Sequence, residues 1–310
     1  MTELSPTYVI GAGSIGLFVQ YLLQPIVSSV LVARPASCDR LNQSPLRLTG
    51  AVESSLQMVC QPWETLTRQT LPTTLVIATK AHEVPEVLQM ARVLFPPGST
   101  LILCQNGIGI FESARHQLPD WTILRLHCWM GIQRRAPDHI HVAGIYKFDL
   151  AGAPEAEAHL TNWHTILRQT PVPITIGRDP HSAEWQKALW NITVNGLCSI
   201  VNAPNGAILD FPELRTVAES IIFEAVAVAQ AAGIALTQAD VTTVFDSLEK
   251  TRTNINATLQ DLRAGRHPEL EFFNQAVVQT AALTGCPAPL NTLVVQLVNY
   301  LEKTRQRKEV

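Results

Sequence analysis

The stretch that most limits how this chain can fold lies near its start. Tyr8-Val9-Ile10 is a short β-favouring run, Gly11-Ala12-Gly13-Ser14-Ile15-Gly16 follows it, and the apolar LFVQYLL after that suits a helix. Strand, GxGxxG turn and helix are the opening of a βαβ unit that holds a dinucleotide. In that unit the glycines allow a tight turn, close approach of the backbone to a pyrophosphate and close packing of helix on strand. The helix start adds free N–H groups and the positive end of its dipole. A glycine-rich turn alone is weak evidence. Its flanks select the nucleotide-binding reading, with Gly11, Ala12, Gly13, Ser14, Ile15 and Gly16 as cofactor-binding residues.

The runs that follow repeat one pattern, an apolar segment stopping at polar residues. Val30 to Ala33 ends at Arg34, where an NAD-binding domain usually carries an acidic residue for the ribose 2′-hydroxyl. Arginine suits a 2′-phosphate, so the expected cofactor is NADP(H). Leu75 to Thr79 ends at Lys80, and Leu101 to Cys104 ends at Gln105-Asn106-Gly107-Ile108-Gly109. Ligands of open parallel sheets bind beyond the carboxyl ends of the strands, which is where Lys80 and Asn106 project. Asn-Gly is equally a favoured turn dipeptide with no chemistry attached. One further strand or a pair is expected between Arg47 and Cys60. More β structure is expected from Trp121 to Gly152, about a turn-like break at Arg134 to Asp138. His139 and His141 alternate as in a strand and lack a third ligand, so no metal site is expected. After the strand Ile174 to Ile176, Gly177-Arg178-Asp179-Pro180 marks the domain boundary, giving residues 1–178 and 179–310.

Beyond Pro180 the pattern becomes helical: Ala183 to Leu197, Pro212 to Gly233, Ala239 to Glu249, Asn254 to Arg263, Glu269 to Gly285 and Leu290 to Arg305. The fold class is therefore α/β, a Rossmann-like dinucleotide-binding domain followed by an all-helical C-terminal domain. The first of these helices is unusual. Lys187, Asn191 and Asn195 recur at i, i+4 and i+8, so one ammonium and two carboxamides share a face, among Trp185, Ala188, Leu189, Ile192 and Val194. Such a stripe is either solvated or laid against a polar ligand.

Composition narrows the partners. A net charge of -3, with 16% charged residues, provides no field to attract nucleic acid or an acidic membrane surface. No apolar run approaches the roughly 20 residues of a membrane span, and no signal peptide is visible. The six cysteines have no CxxC or ligand spacing and read as buried thiols of a cytoplasmic protein. The apolar helices from Ile221 to Ala232 and from Leu290 to Leu301 suit packing within their domain or against a second copy, which would make a homodimer.

Together these residues resemble the ketopantoate reductases (2-dehydropantoate 2-reductases). The resemblance is carried by GAGSIG at Gly11, by Arg34, Lys80, QNGIG at Gln105, WQKALWN at Trp185, Asn195, Pro204-Asn205-Gly206, and NINATLQDLRAGRHPELEFFN from Asn254 to Asn274. It implies NADPH-dependent reduction of a small 2-keto acid, ketopantoate, to pantoate in the cleft between two domains, a step of pantothenate and coenzyme A biosynthesis. It places Lys187 as the catalytic lysine and general acid, and Glu269 as the assisting acidic residue. Asn106, Asn191, Asn195 and Asn205 would bind substrate. Arg34, Lys80 and Asn106 would lie at the cofactor. Without the resemblance, Glu269 reads rather as a helix-dipole residue after Pro268.

The chain departs from the family at Ala257, where a substrate-binding serine is usual, at Pro268 for threonine, and at Gln275 for glycine. A lost hydroxyl contact is worth about 0.5–1.5 kcal/mol. Thr258 and Asn256 stand beside it to substitute. These departures keep two alternatives open: an NADP-dependent reductase of another 2-keto or 3-hydroxy acid, and a non-catalytic NADP-binding sensor.

Overall fold

The apolar runs become strands buried on both faces, as a parallel sheet requires. The structure is a computed structural model that describes residues 6–177 and 179–306. Arg178, at the expected boundary, lies outside the described residues, as do residues 307–310. The chain divides into one unit of Met1–Gln105 and Ile110–Pro180 and a second of Asn106–Gly109 and His181–Val310.

The first unit runs β1 (Thr7–Ile10), α1 (Ser14–Leu23), β2 (Ser29–Ala33), α2 (Pro35–Gln43), β3 (Leu46–Gly50), β4 (Ser54–Leu56), β5 (Cys60–Pro62), β6 (Thr74–Ile77), α3 (Val84–Leu94), β7 (Thr100–Leu103), α4 (Ile110–Gln117), β8 (Thr122–Ala136), β9 (His139–Gly152), α5 (Glu157–Leu167) and β10 (Ile174–Ile176). Its sheet has the order β4-β3-β9-β8-β7-β6-β1-β2-β5, with β10 also on β9. From β5 through β2, β1, β6 and β7 to β8 every pairing is parallel. This is the dinucleotide-binding order, in which the chain reverses direction across the sheet beside β1.

The remaining strands extend the sheet. The β-rich region expected from Trp121 is the long antiparallel pair β8–β9, kinked by irregularities at Trp129/Met130, Gly131/Ile132 and Arg134/Ala136. Between Arg47 and Cys60 the chain makes three strands: β3 and β4 form a hairpin on β9, and β5 joins β2 at the other edge. His139 and His141 direct their rings at Thr49 Oγ1, at 2.9 and 3.2 Å, and among the described residues no cluster suits a metal.

The second unit comprises α6 (Pro180–Ile200), α7 (Ala207–Asp210), α8 (Pro212–Ala231), α9 (Gln238–Lys250), α10 (Ala257–Arg263), α11 (Asn274–Thr284) and α12 (Pro289–Gln306). Two expected helices are shorter for visible reasons. The helix expected from Asn254 begins at Ala257, because Asn256 is extended and its side chain caps the helix by accepting from Leu259 N at 2.9 Å. The helix expected from Glu269 is broken. A single 3₁₀ turn at Leu270–Phe272 ends at Phe273, with φ -125° and ψ -104°, and the Phe272 carbonyl accepts from Ile108 N at 3.0 Å.

A buried polar network anchors α6 within this unit. Asn274 Nδ2 donates to Ile192 O at 3.0 Å and to Asn291 Oδ1 at 2.9 Å, and Asn291 Nδ2 reaches Glu224 Oε1 at 2.8 Å. Glu224 also accepts from Leu290 N and Asn291 N at the start of α12. A charged partner roughly doubles such bonds and fixes their geometry.

All six cysteines are free and only Cys286 is not fully buried. Cys38 lies beside Cys60 and Cys104 beside Cys128, pairs that their spacing in sequence does not reveal, while the Cys38 and Cys128 thiols donate to Ala33 O and Leu126 O. Burial pushes the Cys198 thiol up to about 12 and raises Cys60 strongly, which leaves both as unreactive thiols. Among the described residues no helix is long and apolar enough to cross a membrane.

Candidate active site

In the first unit the residues assigned to the cofactor gather at the carboxyl ends of β1, β2 and β6. Gly11 leaves β1 with φ +109°, a conformation that side chains rarely adopt. A Cβ on Gly16 would stand 1.9 Å from Gly11 O, so the turn closes only because Gly16 has none. Gly13 caps α1 without a side-chain hydrogen bond, which leaves the amides of the first turn to a ligand. Ala12, Ser14 and Ile15 complete this turn. These features fit a dinucleotide pyrophosphate, through open amides, a helix dipole and a turn with no side chain in the way.

Arg34 and Lys80 follow β2 and β6 and are both exposed. Sequence reasoning missed the residue between them. Glu83 Oε1 lies 2.8 Å from Arg34 Nη2, while Glu83 Oε2 accepts from Lys80 N at 3.1 Å. Its one signal in the sequence is an acid three residues after the residue that starts a helical turn, the spacing of a capping box.

In the second unit α6 carries the polar stripe. Lys187 and Asn191 are partly buried and Asn195 is only 2% exposed, with Asn195 Nδ2 donating to Asn191 Oδ1 at 3.1 Å. The stripe continues one turn further than the sequence suggests. Ser199, fully buried, donates to Asn256 Oδ1 at 3.3 Å. Asn256 is 3% exposed and spends its oxygen on Ser199 and the α10 cap, while its Nδ2 has no protein partner. Asn195 Oδ1 and Asn205 Oδ1 are likewise buried without a partner. Such groups are costly in an interior unless something satisfies them. Asn205 otherwise braces the chain, its backbone N bonding Asn254 O at 3.0 Å and its Nδ2 bonding Thr251 O at 3.4 Å.

Asn106 lies in a loop that belongs to this helical unit, although its neighbours in sequence belong to the other. Two bonds hold it. Gly109 N donates to Glu184 Oε2 at 2.9 Å, one turn before Lys187 on α6, and Ile108 N donates to Phe272 O, three residues after Glu269. The same unit therefore carries Asn106, Lys187, Asn191, Asn195, Asn205 and Glu269. Ala257 is exposed at the first position of α10, and Thr258 beside it is buried.

Just before Glu269, His267 Nδ1 lies 2.7 Å from Glu302 Oε1 of α12, and Nε2 lies 3.2 Å from Glu271 Oε2. The bond to Glu302 raises the imidazole above its ordinary range, against a smaller opposing effect of burial. A raised folded pKa means stability present below the unfolded value of about 6.5 and lost as pH rises through the higher folded value. Chemical denaturation of the protein and of His267→Gln should therefore give a difference in unfolding free energy in mild acid that fades above neutrality. A constant difference across that range would contradict this role.

Known proteins resemble this chain over nearly its whole length. The chain matches the family description Ketopantoate reductase PanE/ApbA over residues 7–155, and its C-terminal counterpart over residues 180–302. It is 26% identical over 309 residues to a 2-dehydropantoate 2-reductase of Pyrococcus abyssi, covering 97% of this chain and 99% of that one. A PanE/ApbA family ketopantoate reductase from Ralstonia eutropha JMP134 superposes with TM-score 0.87 at 19% identity, over 98% of this chain and 100% of that chain. A D-mandelate dehydrogenase, in a ternary structure with NADH and anilino(oxo)acetate, superposes with TM-score 0.85 at 18% identity, over 97% of this chain and 99% of its own. With the dinucleotide-binding strand order in the first unit and the helical second unit accounted for in one alignment, the chain belongs to the ketopantoate reductase family of pyridine-nucleotide-dependent oxidoreductases.

Proposed function

We propose that this protein is an NADPH-dependent 2-dehydropantoate 2-reductase, with residues 1–178 binding the nucleotide and 179–310 holding the substrate. The observation that carries the reading is the Asn106–Gly109 loop, tied to α6 beside Lys187 and to the segment after Glu269, so that three residues of the proposed site share one frame. Gly11 to Gly16 hold the pyrophosphate, Arg34 receives the 2′-phosphate, and Lys80 and Asn106 lie beside the cofactor. Bound there, the reduced nicotinamide supplies a hydride for the keto carbon.

The residues of this chain do the rest. Lys187 Nζ donates a hydrogen bond to the keto oxygen and transfers its proton as that oxygen gains charge, which yields the 2-hydroxy acid and a neutral amine that solvent reprotonates. Asn106, Asn191 and Asn195 both donate and accept, which suits a substrate carrying a carboxylate and a hydroxyl. Glu269 accepts from the substrate hydroxyl, and Asn205, whose Oδ1 is buried without a partner, adds a further substrate contact. Asn256 Nδ2, a buried donor with no protein partner, takes over from the hydroxyl that Ala257 lacks.

The test is nucleotide oxidation by the purified protein with ketopantoate, NADPH beside NADH, and a panel of other 2-keto acids. Preferred turnover of ketopantoate with NADPH supports the proposal; turnover of none would leave the sensor reading. Ala257 favours one second reading, reduction of a different 2-keto acid, which the same panel would reveal. Asn256→Asp keeps the oxygen that caps α10 and removes the donor, so KM for the keto acid should rise about tenfold, the size of one charge-assisted bond. An unchanged KM would remove Asn256 from the site.

A further inference from the structure

Arg34, expected to select NADPH, is already paired with a carboxylate. The Arg34–Glu83 contact is 2.8 Å, and the side chains are 85% and 29% exposed, so the pair stands at the surface, where such bridges hold weakly. The other oxygen of Glu83 accepts from the backbone N of Lys80, which ties the carboxylate to the start of the turn after β6. One acid thus engages the Arg34 side chain and the Lys80 backbone, both assigned to the cofactor. An acid at the end of β2 or beside it is also the group that dinucleotide-binding folds present to a ribose 2′-hydroxyl.

Resting on the reading of Arg34 and Lys80 as cofactor residues, we infer that Glu83 is a specificity-determining residue that narrows the margin between NADPH and NADH. A 2′-phosphate brings close to two negative charges at neutral pH and must draw Arg34 away from Glu83 against the repulsion of its carboxylate. A 2′-hydroxyl instead donates to that carboxylate while Arg34 stays in place. The two nucleotides therefore make opposite demands on one side chain. Arg34 alone would favour NADPH more strongly than the pair does.

The test is direct binding, by nucleotide fluorescence, of NADPH and NADH to the full-length wild-type protein, Glu83→Gln and Arg34→Ala, with thermal unfolding as a check on the fold. Glutamine keeps an oxygen for the Lys80 amide and drops the charge. The ratio of NADH to NADPH dissociation constants should rise about threefold to tenfold in Glu83→Gln, as expected for removing one surface charge beside a phosphate. In Arg34→Ala the ratio should fall below that of the wild type. A ratio unchanged by Glu83→Gln, with the Arg34→Ala loss intact, would overturn the role of Glu83 alone. NADPH affinity unaffected by Arg34→Ala would overturn the reading of Arg34 and this inference with it.

Discussion

Lys187→Ala is expected to lower kcat by about 10²–10⁴-fold, the usual worth of a positioned general acid. The size follows from its place. Lys187 is partly buried on the Lys187–Asn191–Asn195 stripe of α6, beside Trp185, Ala188 and Leu189, which lie in the core of the helical unit. Alanine keeps the helix and the packing of its other faces, so folding should survive and the loss should fall on chemistry. Nucleotide affinity should stay near wild type, because the nucleotide turn is made by other residues. Lys187→Arg separates charge from proton transfer, since guanidinium keeps the charge and does not release its proton. Steady-state kinetics of both variants decide the matter. Turnover within about threefold of wild type in the alanine variant would exclude the general-acid role, and near-full activity in the arginine variant would reduce Lys187 to an electrostatic partner.

The second large effect is expected at the nucleotide turn, where two glycines one turn apart should behave differently. A Cβ at Gly16 meets backbone, Gly11 O at 1.9 Å and Gly11 C at 3.0 Å, and neither can move without opening the turn. At Gly13 the nearest atom would be Ala78 O at 3.7 Å, an ordinary contact. Gly16→Ala should therefore cost stability of about 1–3 kcal/mol or more, as overpacking does, and abolish nucleotide binding. Gly13→Ala should leave thermal unfolding nearly unchanged while weakening nucleotide binding, because the new methyl occupies the approach of the pyrophosphate. Paired thermal unfolding and nucleotide titration would show it. Equal loss of stability in both variants would mean that the space around Gly13 is structural.

What could be read in the sequence was what depends on near neighbours. The glycine spacing from Gly11 to Gly16, the stripe at Lys187, Asn191 and Asn195, and the apolar runs of β1, β2, β6 and β7 are local patterns, and the structure places them in the expected elements. The single helix expected from Glu269 was mistaken, because its break at Phe273 goes with a carbonyl engaged by Ile108, far away in sequence. The seating of Asn106 with the helices rests on Glu184 in the same way. Glu184 carries no pattern in the sequence that marks it as an acceptor for that loop. Glu83 escaped notice because its meaning depends on two residues that follow different strands. Ser199 continues the stripe at the same period, and only its contact with Asn256 gives it weight.

The crossing of the chain at Asn106–Gly109 has a consequence for how such a protein can be taken apart. A gene cut near Pro180 separates most of each unit cleanly, yet the first fragment keeps a loop whose amides at Ile108 and Gly109 are built to be capped by the other piece. The second fragment loses the donor to a carboxylate inside its first helix. The two halves are therefore not interchangeable modules, and recombination that swaps one half for that of a distant relative must carry this four-residue stitch, or its two acceptors, along with it.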